Sequence, residues 1–219
     1  MKRNKNFSFY LLIFICLVAV GFLFSTLTLS KDLRSKLENM RFVSKVYDRQ
    51  GKLIGNLFSH RRIWVSSQNI SPYLKKAVIA TEDMRFYRHF GVDPIGIARA
   101  VYQSLRPGGS KQGGSTITQQ LAKISLLSLD RTFSRKFKDM FYALLIERTY
   151  TKEEILELYL NSINLAHGNI GVEAAARYYF GKSASTLNLE ESALLAGIIR
   201  SPENYSPFKH PDTAKGRRN

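Results

Sequence analysis

Two polar blocks of this chain combine side chains that could carry out acid–base chemistry, and the first begins at Glu82. It also holds Asp83, Phe86 and His89, and it follows directly on the apolar run Val-Ile-Ala. Because acidic side chains are almost never fully buried without partners, a carboxylate pair in this setting indicates a functional or a dedicated structural role. If the segment is helical, Glu82, Phe86 and His89 share one face. An ordinary amphipathic helix with a hydrogen-bonded histidine is the alternative.

The second block supplies neutral hydrogen-bonding groups and one cation. We expect Ser115 to cap a helix on which Thr116, Gln119, Gln120 and Lys123 share a face. The free backbone N–H groups at the start of such a helix favour an anion. The block therefore predicts a wall that receives a polar or anionic substrate, and a solvated helix face is the alternative.

A third group sets a carboxylate among cations. Arg135 and Asp139 are four residues apart and Lys136 and Asp139 three apart, so a helix would place them on one face. An ordinary surface ion pair of little energetic value is the alternative.

The composition is strongly basic. The 219 residues contain 33 Lys and Arg against 17 Asp and Glu, for a net charge of +16. Such an excess favours a polyanionic partner, which could be nucleic acid, anionic lipid headgroups or a phosphate-bearing substrate. The single cysteine, Cys16, rules out an internal disulfide.

The N-terminus predicts a membrane anchor. Residues 7–29 carry no charge and are rich in Leu, Ile, Val and Phe, which is enough to span roughly 30 Å of hydrocarbon. Three basic residues in 1–6 place that tail in the cytoplasm and the rest of the chain across the membrane. A linker at 30–42 and one domain at 43–219 follow. Nucleic acid is excluded as a partner of a domain in that location.

Helix signals dominate the domain. The segments 43–47 and 53–57 are typical of a small hairpin with a glycine in its turn. Ser71-Pro72 and Asp93-Pro94 each place a capping residue before a proline, and Thr151 to Glu154 forms a capping box. Apolar helices are predicted at 171–179 and 190–200. The fold class is mainly α with a minor β element.

Several motifs occur in the order seen in one family. They are Glu82-Asp83-x-x-Phe86-x-x-His89-x-Gly91, Gly114-Ser115-Thr116-x-Thr118-Gln119-Gln120-x-x-Lys123, the Arg135-Lys136 helix, Lys152-x-x-Ile155-Leu156-x-x-Tyr159-Leu160-Asn161, Gly168-x-x-Gly171, Tyr179-Phe180-Gly181-Lys182 and Arg200-Ser201-Pro202. From residue 46 onward the chain resembles the peptidoglycan glycosyltransferases of glycosyltransferase family 51, found in class A penicillin-binding proteins and in monofunctional transglycosylases.

The resemblance implies a lysozyme-like helical domain that polymerises lipid II into glycan strands. The 4-hydroxyl of one sugar would displace the lipid diphosphate from the anomeric carbon of another, with inversion. Glu82 matches the family's base, and Asp139 stands where the family has a second catalytic glutamate. The implied substrate-binding residues are Asp83, Phe86, His89, Ser115, Thr116, Gln119, Gln120, Lys123, Arg135 and Lys136, of which Lys123, Arg135 and Lys136 match positions that face the diphosphate.

The resemblance also implies a setting for the reaction. The expected cofactor is a divalent cation, Mg²⁺, with no ligands assigned to it. The expected partners are lipid II, the nascent glycan strand, the cytoplasmic membrane and other cell-wall synthesis proteins. The domain is expected on the outer, periplasmic side of the cytoplasmic membrane.

Three departures leave other functions open. Asp139 replaces the usual glutamate, Ile124 replaces the usual asparagine, and the chain stops within the last motif, as a truncated C-terminal end would. We expect reduced rather than abolished activity, since the base is present. The first alternative is a catalytically weakened, membrane-anchored protein that binds lipid II or cell-wall partners. The second is a lysozyme-like hydrolase, which the cation-rich surroundings disfavour.

Overall fold

A computed structural model describes residues 31–40, 44–57, 61–106, 113–126 and 133–219. The predicted anchor, residues 7–29, lies outside the described residues. Within the described ranges, no helix is both long and apolar enough to cross a membrane. In chain order the elements are α1 (31–39), β1 (Ser44–Tyr47), β2 (Leu53–Leu57), β3 (Arg61–Arg62), α2 (Pro72–Glu82), α3 (Pro94–Leu105), α4 (Ile117–Leu126), α5 (Phe133–Thr149), α6 (Lys152–Leu160), β4 (Asn169–Ile170), α7 (Val172–Phe180), α8 (Leu189–Ile199) and α9 (Pro211–Arg218).

The predicted fold class, mainly α with a small N-terminal hairpin, is confirmed. Strands β1 and β2 pair antiparallel, with Ser44 opposite Leu57, and Gly51 adopts a φ of +80° in the turn between them. The carboxylate of Asp48 accepts hydrogen bonds from the backbone of Gln50 and Lys52, which tightens this turn. A short parallel pairing of β3 with β4 was not predicted.

Helix α6 lies at the centre of the core. Its buried residues cover about half of the helix circumference, and α4 and α5 pack against it. Tyr159 on this helix is fully buried. Helix α2 packs against α8, and α8 packs against α9. Leu33 and Leu37 of α1 also lie in this core, so the segment predicted as a linker contributes buried apolar side chains.

The predicted helix starts are present, although their caps differ. Thr151 forms the full capping box with Glu154, and the Asp93 carboxylate accepts a hydrogen bond from the backbone N–H of Ile95. Ser71 precedes α2 but does not cap it. Its hydroxyl donates instead to the carbonyl of Leu187, at 2.8 Å, because the buried segment beside it offers an acceptor.

The prediction that Glu82, Phe86 and His89 share one helical face is wrong. Helix α2 ends at Glu82, Asp83 is its C-cap, and Phe86–Arg88 forms a separate 3₁₀ turn. The helix ends here because the Asp83 carboxylate hydrogen-bonds to His89 and to the backbone of Ile117, which lie outside the helix. If the helix continued, this carboxylate would point away from both groups. The three side chains consequently have different surroundings.

Candidate active site

A cavity of about 230 Å³ lies beside the C-terminal end of α2. We call it the Glu82 cavity. Its walls come from α2, α3, the segment 113–116 before α4, the first turn of α4, and the ends of α8 and α9. Elements far apart in the chain therefore converge on one carboxylate.

The Glu82 side chain is half-buried and is held by a neighbouring amide. The Nε2 group of Gln120 donates a hydrogen bond of 2.8 Å to Glu82 Oε2. The other end of the same amide, Gln120 Oε1, accepts a hydrogen bond of 2.9 Å from the hydroxyl of Tyr159. Both polar ends of Gln120 are therefore engaged, one by the cavity carboxylate and one by the core.

Asp83 is a structural carboxylate rather than a second free acid. It is buried, and its oxygens lie 3.0 Å from His89 Nε2 and 3.0 Å from the backbone nitrogen of Ile117. The Gly91 N–H donates to His89 Nδ1. Since Nδ1 accepts, the proton of a neutral imidazole sits on Nε2 and is donated to Asp83. The pair ties the end of α2 to the start of α4, and so sets Glu82 opposite Gln120.

The start of α4 is capped by Thr116, so the prediction that Ser115 caps this helix is wrong. The Thr116 hydroxyl accepts from the Gln119 N–H, and the Gln119 side chain accepts from the Thr116 N–H. The same hydroxyl donates to the carbonyl of Gly91 at 2.6 Å. This acceptor, distant in sequence, fixes the Thr116 side chain in the capping position. Ser115 lies one residue earlier, in the wall of the cavity, and its hydroxyl accepts from Lys136 Nζ at 2.8 Å.

Phe86 and Gln119 are buried and do not line the cavity. The Phe86 ring packs in the core, and the ammonium of Lys152 lies 4.5 Å from its centre. Lys152 also donates to the carbonyl of His89 and to the carboxylate of Glu147, each at 2.7 Å. These residues hold the backbone turn that follows Glu82.

Arginines supply positive charge in the cavity wall. Arg99 from α3, Arg200 at the end of α8 and Arg217 from α9 line it. The Arg217 stem crosses Gly197, where an added Cβ would lie 3.2 Å from Arg217 Cγ. Its Nε is buried and has no hydrogen-bond partner among the described residues.

Two of the predicted diphosphate-side residues, Lys123 and Lys136, do not line the Glu82 cavity, although Lys136 Nζ reaches the Ser115 hydroxyl in its wall. Lys123 on α4 and Lys136 on α5 are exposed, and Asp139 on α5 is half-buried and does not line the cavity either. The side chain of Arg135 lies outside what the structure describes. Of the predicted residues, the cavity brings together Glu82, Asp83, Ser115, Thr116 and Gln120.

Sequence reasoning did not assign a site role to the cavity arginines or to Tyr159. Arg200 and Tyr159 occur in motifs that carried the resemblance, so a signal for them was present. Arg99 and Arg217 had no such signal, because an isolated arginine on a helix is ordinary surface composition.

The environment of Tyr159 keeps its hydroxyl protonated. Burial raises the pKa of Tyr159 well above its usual value, and the nearby carboxylates of Glu82 and Asp83 raise it further. The phenol is therefore a hydrogen-bond donor over the whole physiological range.

A family comparison agrees with the order of the sequence motifs. A profile described as "Transglycosylase" matches residues 50–219, which is more than half of the chain. The chain belongs to the transglycosylase family. The resemblance inferred from the sequence motifs is thereby confirmed.

The relatives of this transglycosylase are larger proteins. It is 49% identical over 176 residues to penicillin-binding protein 1A of Aquifex aeolicus, covering 80% of this chain and 24% of that protein. It is 45% identical over 175 residues to penicillin-binding protein 1F of Bacillus subtilis, with coverage of 80% and 24%. It is 47% identical over 189 residues to penicillin-binding protein 1A of Escherichia coli, with coverage of 86% and 22%. The chain spans about a quarter of the length of these relatives.

A solved structure is also similar. The chain aligns with penicillin-binding protein 1A of Haemophilus influenzae at 26% identity and a TM-score of 0.42, over 81% of this chain and 17% of that one. The family assignment of this transglycosylase rests on the profile and on the sequence identities.

Proposed function

We propose that this transglycosylase is a peptidoglycan glycosyltransferase that polymerises lipid II into glycan strands. The observation that carries the proposal is the Glu82 cavity, where one carboxylate held by Gln120 shares a wall with Arg99, Arg200 and Arg217. A carboxylate can accept the proton of an attacking hydroxyl, and arginines can stabilise an anionic leaving group. Family membership and the mainly helical fold are consistent with this chemistry.

In the proposed reaction, the 4-hydroxyl of one lipid II sugar attacks the anomeric carbon of the growing strand. A new C–O bond forms with inversion while the bond to the diphosphate breaks, and the diphosphate leaves with the electron pair. A hydroxyl is a poor nucleophile at neutral pH, so Glu82 accepts its proton in the transition state. The Gln120 amide keeps the carboxylate aimed into the cavity.

The leaving group needs positive charge more than a proton. A diphosphate develops further negative charge as the bond breaks, and guanidinium groups in the same wall stabilise it. Arg99, Arg200 and Arg217 are placed for this role, and Lys123 and Lys136 extend the basic surface along α4 and α5. Arg135 is assigned the same role from the resemblance alone.

Glycan hydrolysis is less well supported. A neutral glycosidic leaving group requires a carboxylic acid that donates a proton. The other two carboxylates of the cavity wall are engaged structurally, Asp83 with His89 and Asp93 with Arg85 and the start of α3. Glu82 is thus the cavity acid that remains for a substrate.

A divalent cation such as Mg²⁺ fits this proposal as a partner of the diphosphate. Within the described residues, no three His, Cys, Asp or Glu side chains come together as a metal site. Mg²⁺ is commonly held by one or two carboxylates together with substrate phosphates, so the diphosphate itself would supply part of its coordination. When bound, the ion would neutralise charge on the leaving diphosphate.

The setting of the enzyme is part of the proposal. The uncharged run at 7–29, preceded by basic residues, supports a single anchor in the cytoplasmic membrane with the catalytic domain outside. Lipid II and the nascent glycan strand would then be reached at the membrane surface, together with other cell-wall synthesis proteins.

The test is polymerisation of labelled lipid II by the full chain in detergent with Mg²⁺. Glu82→Gln keeps the size of the side chain and removes the base, so the rate should fall at least about 100-fold. Glu190→Gln, on an exposed glutamate in the first turn of α8, is the matched control and should retain the rate. Lipid II binding without any polymer would favour the binding-protein alternative, and release of soluble fragments from cell wall would favour the hydrolase.

A further inference from the structure

Tyr159 occupies an unusual place for a core side chain. It is fully buried in the central helix α6, yet its hydroxyl lies at the inner end of a hydrogen-bonded chain that leads to the cavity. The chain runs from Tyr159 to Gln120 and from Gln120 to Glu82. Among the described residues, Gln120 is the one hydrogen-bond partner of the phenol.

We propose that Tyr159 is a positioning residue that acts on Glu82 by fixing the orientation of the Gln120 amide. This inference rests on the proposed function, because Glu82 is the residue whose alignment matters for the transfer.

The orientation of a glutamine amide has two nearly isosteric choices. Either the NH₂ or the oxygen can face a given neighbour, and only the hydrogen-bond network decides between them. With the NH₂ toward Glu82, Gln120 donates to a carboxylate. With the oxygen toward Glu82, two acceptors would face each other at about the same separation, which is repulsive.

The hydroxyl of Tyr159 reinforces the first choice. The Glu82 carboxylate only accepts, so it takes the NH₂, and the hydroxyl donates to the amide oxygen that then faces inward. The amide is thus held at both ends. Because the ring is fully buried in a close-packed helix, the hydroxyl stays at one point. The core of the protein therefore anchors the amide that donates to the cavity carboxylate.

Removing the hydroxyl would release this constraint with little change in shape. In Tyr159→Phe the ring still fills its space, but Gln120 loses its inner partner and can rotate. Glu82 then spends part of its time without a donor and away from the aligned position. Substrate binding through the rest of the cavity is unaffected, so the loss should appear in kcat rather than in KM.

The matched control is Tyr179→Phe. Tyr179 on α7 also donates one hydrogen bond from a partly buried phenol, to the carbonyl of Leu165 at 2.8 Å, and it does not line the Glu82 cavity. Tyr179→Phe removes the same hydroxyl, and with it a hydrogen bond donated to an amide carbonyl oxygen, as Tyr159→Phe does. Its kcat should stay within about two-fold of the wild type.

The experiment measures lipid II polymerisation by the full chain in detergent and combines it with a double-mutant cycle. For Tyr159→Phe we expect kcat to fall roughly ten- to a hundred-fold with KM changed by less than about two-fold, which is part of the contribution of a general base. If the phenol acts through the amide, Tyr159→Phe should have little further effect in a Gln120→Leu background. Equal kcat for wild type and Tyr159→Phe, or fully additive losses, would overturn the inference.

A spectroscopic readout separates this inference from the proposed function. In protein labelled with ¹⁵N at glutamine, the side-chain amide signal of Gln120 should move in Tyr159→Phe and stay in place in Tyr179→Phe. If the wild type makes no polymer, the proposed function fails, and the amide signal alone then decides whether Tyr159 orients Gln120. An unmoved signal would contradict the inference in either case.

Discussion

Replacement of Gly91 by alanine should destabilise the protein through two effects, backbone strain at Gly91 and a close contact with helix α5. Gly91 has a φ of +87°, and a Cβ built on it would lie 2.8 Å from the carbonyl oxygen of Ala143 in α5. It is also a hydrogen-bonding node, since its N–H donates to His89 and its carbonyl accepts from Thr116. A shift of Gly91 would therefore displace both His89 and Thr116, which help to position the residues around Glu82.

The expected loss has two parts. A left-handed backbone costs an L-residue about 1–2 kcal/mol. The contact with Ala143 adds an overpacking cost of about 1–3 kcal/mol, because a helix backbone cannot yield as the end of a flexible side chain can. The free energy of unfolding should therefore fall by about 2–5 kcal/mol, a large share of the roughly 5–15 kcal/mol of a typical domain.

Gly181 offers the matched control. It caps α7 with a φ of +68°, and no heavy atom lies within 4 Å of the position of a Cβ. Gly181→Ala should thus cost only the backbone part, about 1–2 kcal/mol. Urea unfolding followed by circular dichroism measures both variants, with unchanged denaturant dependence as the check on two-state behaviour. Equal losses for the two variants would refute the contact with α5 as the second cost.

Two further predictions concern a buried carboxylate and an exposed phenol. Asp83→Asn should lower the free energy of unfolding by about 1–3 kcal/mol, because an NH₂ replaces one of the two oxygens that face the donors of His89 and Ile117, and the charge that strengthens both hydrogen bonds is lost. Urea unfolding measures this loss, and an unchanged midpoint would contradict the assigned bonds. Burial and a hydrogen bond to Glu153 raise the pKa of Tyr87 to about 12, above the usual value of about 10. A pKa that is higher in the folded state means that folding favours the protonated phenol. The resulting contribution to the free energy of unfolding is complete below about pH 10 and is lost as the pH rises toward 12. The wild type should therefore lose stability more steeply than Tyr87→Phe across that window, and parallel pH profiles of the unfolding free energy would exclude the effect.

Much of the local structure could be predicted because its causes are local. The capping box at Thr151 and Asp93 ahead of a proline each start a helix through groups within a few residues, and both are present. The prediction of one helical face through Glu82 and His89 failed for the opposite reason. One of the partners of Asp83 at the end of the helix, the backbone N–H of Ile117, lies 34 residues away in sequence.

The composition of the cavity was predictable in part. Glu82, Ser115 and Gln120 were predicted from residue type and motif order, and they line it. Helical periodicity placed Asp139 on a face with cations, but periodicity does not say what that face looks toward. Arg217 was not predicted, yet it lines the cavity, because its position depends on how α9 packs against α8.

The sequence by itself thus determined the residue types of the site, the mainly helical class and the family, because motifs and helix caps depend on residues close together in the chain. The tertiary structure alone decided which of those side chains face one another. It buried Phe86 and Gln119, turned Asp83 into a tether between two helices, and placed a core tyrosine behind the Gln120 amide. These outcomes depend on long-range hydrogen bonds and close packing, which no local pattern specifies.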